Sequence, residues 1–133
     1  MITKLAHVTV IVRDQEEALR FCTDKLGMEK REDQRMGELR WLTVAPKGSA
    51  TAIVLQKPSA PFQTPDEAKQ MLARVGQGTT WVLETADCRK AYNAMSASGV
   101  TFREPPSDMP WGVSAVFEDL YGNKYNLLQP KAH

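Results

Sequence analysis

His7-Val-Thr-Val-Ile-Val-Arg-Asp14 and Thr80-Trp-Val-Leu-Glu-Thr-Ala-Asp87 each open a strand-to-helix unit, and the second begins 73 residues after the first. The correspondence continues downstream. Ala18 and Ala91 fall at matched places in the helices that follow, Gly27 and Gly99 stop those helices, Met36 and Met109 precede the next strands, and Pro58 and Pro130 close the copies. Internal repeats dictate architecture before any other feature does. Two copies are too few for a solenoid, so the repeat implies paired modules related by pseudo-twofold symmetry, with a site between them.

Reading outward from the two openings gives the remaining elements. Residues 5–12 are rich in Val and Ile, as a strand buried on at least one face requires. Asp14 with Glu17 three residues on starts a helix, Ala18, Leu19, Cys22 and Leu26 form its apolar stripe, and Gly27 ends it. Strands are expected at 28–33, 39–44 and 50–56, with Pro46-Lys47-Gly48-Ser49 as a hairpin turn. The first module, about 1–58, therefore reads βαβββ. A linker containing Pro61 follows, and Thr64-Pro65-Asp66-Glu67 starts a non-repeat helix at about 64–76 with Ala68, Met71, Leu72 and Val75 at helical spacing. The second module, about 78–130, repeats the pattern with a strand at 79–85, a helix at 87–98 and strands near 100–103, 112–118 and 124–129. Tyr121-Gly122-Asn123 supplies its last turn.

The 133 residues suit a single domain that buries roughly two thirds of its unfolded surface. Seventeen basic residues against sixteen acidic ones leave no charge imbalance to attract nucleic acid or an anionic membrane. Apolar stretches such as Val8 to Val12, broken only by Thr9, are too short to span a bilayer, and no signal-peptide pattern opens the chain, so the expected location is cytoplasmic. Cys22 and Cys88 lie in the predicted helices at non-equivalent places and are read as packed, reduced thiols.

The fold class is α+β. Two four-stranded mixed sheets side by side, with helices outside, form a half-open barrel whose inner face is free to bind. Side chains alternate along a strand, so Val8, Val10 and Val12 are expected under the helix and His7, Thr9 and Ile11 on the inner face, with Thr80, Val82 and Glu84 as the second-copy equivalents. His7, Thr9 and Thr80 are therefore candidate cavity residues. Trp111, after Met109-Pro110 and before Gly112 at a strand entrance, is the candidate aromatic wall, and Arg40 beside Trp41 is a candidate anion contact.

The opening segment, the helix Ala18-Leu-Arg-Phe-Cys-Thr-Asp-Lys-Leu-Gly27 and the closing Phe117-Glu-Asp-Leu-Tyr-Gly-Asn-Lys-Tyr-Asn-Leu127 together resemble the vicinal oxygen chelate superfamily of glyoxalases, bleomycin resistance proteins and extradiol dioxygenases. The resemblance covers nearly the whole chain. It implies a site in which a His or Gln on the first strand of each module and a carboxylate on the last strand of each hold a divalent ion. His7 matches the first position, but Thr80 stands at its partner, and Asn126 stands where the last strand's glutamate belongs. On the last strand of the first module Ala52, Val54 and Gln56 remain alternatives, and only Gln56 has a donor oxygen.

Neutral amides offset a buried dication poorly. The expected function is thus binding of a small, partly apolar organic ligand in a cavity lined by His7, Thr9, Arg40, Gln56, Thr80, Trp111 and Asn126, with no cofactor. The alternative is a metal-dependent lyase, isomerase or dioxygenase with one Zn, Ni, Mn or Fe ion held by an atypical set that includes His7 and Gln56. The resemblance leaves open whether any reaction is catalysed. It implies a homodimer, with a small molecule as the other partner.

Overall fold

The aspartates that close the two opening motifs cap the helices that follow. In the computed structural model, which describes residues 1–59, 62–77 and 80–131, the Asp14 carboxylate accepts the Glu17 N–H at 2.9 Å and the Asp87 carboxylate accepts the Lys90 N–H at 3.1 Å. Each satisfies a backbone donor at a helix start that has no partner within the helix. Linker residue Pro61 and the first positions expected of the second module, Gly78 and Thr79, lie outside the described residues.

The chain divides into two units, Met1–Val75 and Gly76–His133. The first unit contains β1 (His7–Ile11), α1 (Gln15–Arg20), β2 (Glu29–Met36), β3 (Leu39–Ala45), β4 (Ala52–Gln56) and α2 (Pro65–Leu72). The second contains β5 (Thr80–Glu84), α3 (Cys88–Ala97), β6 (Thr101–Met109), β7 (Gly112–Glu118) and β8 (Lys124–Pro130). Both sheets have four strands and the same order, β1-β4-β3-β2 and β5-β8-β7-β6. In each, the first and last strands of the module run parallel and the other pairs antiparallel. The modules are therefore βαβββ, as the repeat implies. The segment after Arg20 departs from a plain helix, because Phe21–Lys25 continues α1 as a π-helical turn. Thr64 and Glu67 form the reciprocal cap of α2.

Alternation sorts the side chains. Val10 and Val12 are buried in the first unit with Phe21, Leu42, Val44 and Leu55, whereas His7 and Thr9 on the opposite face are exposed. The second unit buries Cys88, Ala115, Phe117, Tyr125 and Leu127, with the Phe117 and Tyr125 rings stacked at 5.2 Å. Burial pushes the Cys88 thiol up from its ordinary pKa, and its sulfur lies 3.6 Å from the Leu127 carbonyl oxygen. It is a packed, unreactive group. A glutamine ties helix to sheet in both units. Gln15 Nε2 donates to the carbonyls of Arg40 and Leu55 at 2.9 and 2.8 Å, and Gln129 Oε1 accepts the Cys88 N–H at 3.0 Å.

Two strands are longer than the sequence pattern indicates. β2 reaches Met36, and β6 runs from Thr101 to Met109 through Pro105 and Pro106. Prolines end a central strand but are tolerated on an edge strand, where one row of N–H groups needs no partner. β6 is such an edge, and its register shifts between Glu104 and Ser107, where the prolines sit.

The turn between β7 and β8 is organised by one carboxylate. Asp119 Oδ1 accepts the N–H groups of Tyr121 and Asn123, both at 2.9 Å, while Oδ2 accepts the Asn123 side-chain amide at 2.9 Å and the Tyr125 hydroxyl at 3.0 Å. Asn123 is 3% exposed, so removal of Asp119 strands buried donors that water cannot reach. Gly122, at φ 85°, supplies the left-handed residue the turn needs. Asp119→Ala is expected to destabilise the protein by about 3 kcal/mol in urea denaturation; a loss under about 1 kcal/mol would show that the turn does not rely on this carboxylate.

Arg40 and Asp33 form a bidentate ion pair in the first sheet. The guanidinium donates through Nε and NH2 to the two carboxylate oxygens at 2.9 and 2.8 Å, with Glu16 of α1 3.7 Å away. The Arg40 hydrogen bond holds the Asp33 carboxyl at about 2, below its usual 3.8. A carboxyl depressed on folding stabilises the native state above its unfolded pKa and loses that contribution as pH falls toward the folded value. Asp33→Asn is thus expected to cost about 1 kcal/mol at pH 7, after allowance for solvent screening. The difference from wild type should shrink between pH 4 and pH 2. A gap independent of pH in urea titrations would contradict this assignment.

Candidate functional site

Each sheet has one helix-covered face and one face built from the alternate residues. Register lines up the second set into matched rows. In the first unit Glu32 pairs with Thr43, Thr43 with Val54, and Val54 with Thr9. In the second, Glu104 pairs with Val116, Val116 with Asn126, and Asn126 with Val82. The equivalent of Asn126 is therefore Val54, which settles the three-way choice on β4.

On the first face, side chains from both edges of the sheet meet. His7 on β1 and Glu32 on β2 come from opposite edges of the sheet, yet His7 Nε2 lies 3.6 Å from Glu32 Oε1. The His7 ring meets Trp41 of β3 edge-on, with centroids 5.3 Å apart. These side chains span the face that carries Thr43 and Val54, which are 0% and 5% exposed. The register shift between Lys30 and Glu32 sets the direction of Glu32, and Thr43 Oγ1 accepts its backbone N–H at 3.1 Å.

The second face is open. A cavity of about 410 Å³ is lined by Arg103, Glu104, Val116, Lys124, Tyr125 and Asn126. Val116 and Asn126 are half-buried, and Val82 at the end of the same row is 57% exposed. A register shift again precedes the edge-strand glutamate, here between Phe102 and Glu104. Arg103 is engaged by Glu118 at 3.3 Å.

The residues singled out from the sequence fall in different places. His7 and Thr9 lie on the helix-free face of the first sheet, and Asn126 lines the cavity of the second. Thr80 begins β5 opposite Lys124. Gln56 pairs with Ile11, whereas His7 pairs with Ala52. His7 and Gln56 thus stand four residues apart along the strand pair, roughly 13 Å, and the fallback pair of metal ligands is not brought together. Arg40 lies on the α1 side of the sheet, where Asp33 and Glu16 take its guanidinium. Trp111 is 59% exposed at the β6–β7 turn, outside the cavity lining, with its carbonyl accepting the Lys131 N–H at 2.9 Å. The residues missed were Glu32, Trp41 as the partner of His7, and Glu104. A signal was present, since Arg31-Glu32 recurs as Arg103-Glu104, 72 residues on and within one residue of the spacing of the opening motifs.

The metal that the resemblance implies can be tested against these donors. The matched positions offer His7, Thr80, Val54 and Asn126, a set without a single carboxylate. Among the described residues no three His, Cys, Asp or Glu side chains converge as a metal-holding group. These residues do not fit a resident divalent ion, and no chemistry is assigned to one here.

Comparison with known proteins agrees with this architecture. Residues 4–127 match the model of the Glyoxalase/Bleomycin resistance protein/Dioxygenase superfamily. The chain is 36% identical over 132 residues to a protein of Shewanella frigidimarina (strain NCIMB 400), covering 97% of this chain and 95% of that one. The crystal structure of UcmS2 superposes with a TM-score of 0.86 at 38% identity, covering 97% of this chain and 99% of the other. TnmS3, an antibiotic binding protein from Streptomyces sp. CB03234, gives a TM-score of 0.81 at 32% identity, with 98% of both chains covered. The duplicated βαβββ ladder, the closing turn and these matches make the chain a member of the glyoxalase/bleomycin resistance protein/dioxygenase superfamily.

Proposed function

We propose that this protein binds a small, partly apolar organic molecule on the helix-free face of its second sheet, without a metal ion. The observation that carries the reading is the cavity of about 410 Å³ around Val116 and Asn126, on the face whose counterpart in the first sheet carries the His7–Glu32–Trp41 cluster. Its size is in the range of small-molecule sites, and it combines an apolar wall with a few polar groups.

The similarity to TnmS3, an antibiotic binding protein, supports a small-molecule-binding role. The lyase, isomerase and dioxygenase alternatives depend on a chelated ion, and the donor set at the matched positions gives them no support.

Titration with the neutral dye Nile red, followed by its fluorescence, tests the reading. Saturable binding that survives excess EDTA is expected. Val116→Glu should weaken it at least tenfold, about 1.4 kcal/mol, by placing a charge on the apolar wall, with the circular dichroism spectrum unchanged. Binding that requires an added divalent ion, or that ignores Val116→Glu in the folded variant, would overturn the proposal.

A further inference from the structure

The internal repeat shows what one of its own carboxylates receives. Glu32 and Glu104 occupy the same place in the two ladders, each on an edge strand directly after a register shift and each opposite the β-hairpin partner that starts the matched row. At Glu32 the occupant is built in. The imidazole of His7 sits with Nε2 3.6 Å from the carboxylate and its ring edge-on to Trp41. In the second unit the residue matching His7 is Thr80, which has no imidazole, and the matching face holds a cavity instead.

The electrostatics of that cavity point the same way. Its cations are Arg103 and Lys124. Arg103 is paired with Glu118, which stands directly opposite Lys124 in the register, and Lys124 is not free. Glu104 and the Asn126 amide, by contrast, make no side-chain hydrogen bond or ion pair among the described residues. Both line the cavity, on either side of Val116. A carboxylate and an amide that flank an apolar floor suit an organic group bearing a basic nitrogen. The carboxylate accepts from the N–H and offsets its charge, and the amide adds a second polar contact.

We infer that the cavity of the second unit recognises a nitrogen-bearing organic cation, an amine or an imidazole-like heterocycle, with Glu104 as its acceptor and Asn126 as its second polar contact. The ligand group takes the place that His7 takes beside Glu32 in the first unit. This inference rests on the binding function proposed above and deepens it by naming the ligand class.

Isothermal titration at pH 7 with 1-naphthylmethylamine and 1-naphthylmethanol provides the test, since the two probes differ only in the ammonium or hydroxyl group. The amine is expected to bind about tenfold tighter or more, in line with a charge-assisted hydrogen bond. Glu104→Gln should bring the two probes to within about twofold of each other. Glu32→Gln should leave the preference intact. Equal affinities in the wild type, a preference that persists in Glu104→Gln, or one lost in Glu32→Gln would each overturn the inference. Nile red binding that survives alongside any of those results would leave the binding function standing and remove only the assignment of ligand class.

Discussion

Everything in this structure depends on one constraint, the parallel pairing of each module's first strand with its last. β1 lies against β4 and β5 against β8 in the same direction and the same phase. A parallel pair needs a crossover that carries the chain back, and the capped helix after each opening motif supplies it. The crossover covers one face of the sheet and leaves the alternate residues on the other. The helix-covered valines of β1 and the exposed His7 and Thr9 are two consequences of the same ladder.

Because the ladder is repeated in phase, the two units can be compared position by position, and function follows from the differences. The rows Glu32, Thr43, Val54, Thr9 and Glu104, Val116, Asn126, Val82 share their geometry and differ in what fills them. A histidine on the edge strand of the first unit reaches across to the glutamate of the opposite edge and packs on Trp41. With Thr80 at the matched position of the second unit, there is no such group. The face that His7 crosses in the first unit corresponds to the face that carries the cavity in the second.

Much of this was legible in the sequence. The repeat, the capping aspartates and the alternation of Val with polar residues in β1 specify the modules and the face of His7, since each rests on local chemistry. The length of β6 was not legible, because Pro105 and Pro106 end a strand unless it lies at a sheet edge, and edge position is a property of the assembled sheet. The surroundings of Arg40 were not legible for a related reason. Which face it joins is set by cross-strand register, and there it meets Asp33 and Glu16. Gln56 was a plausible neighbour of His7 only while the register of β4 was open. Glu32 and Glu104 are the opposite case. The repeated Arg-Glu pair marked them, but the register shifts that aim their side chains do not show in sequence.

The claim that a ligand binds the second face and not the first is tested most directly by mapping a bound probe with NMR. With 1-naphthylmethylamine added to isotope-labelled protein, the account predicts chemical-shift changes concentrated at Val82, Val116 and Asn126, with Thr43 and Val54 unmoved. Changes concentrated at Thr43, Val54 and His7 instead would contradict it.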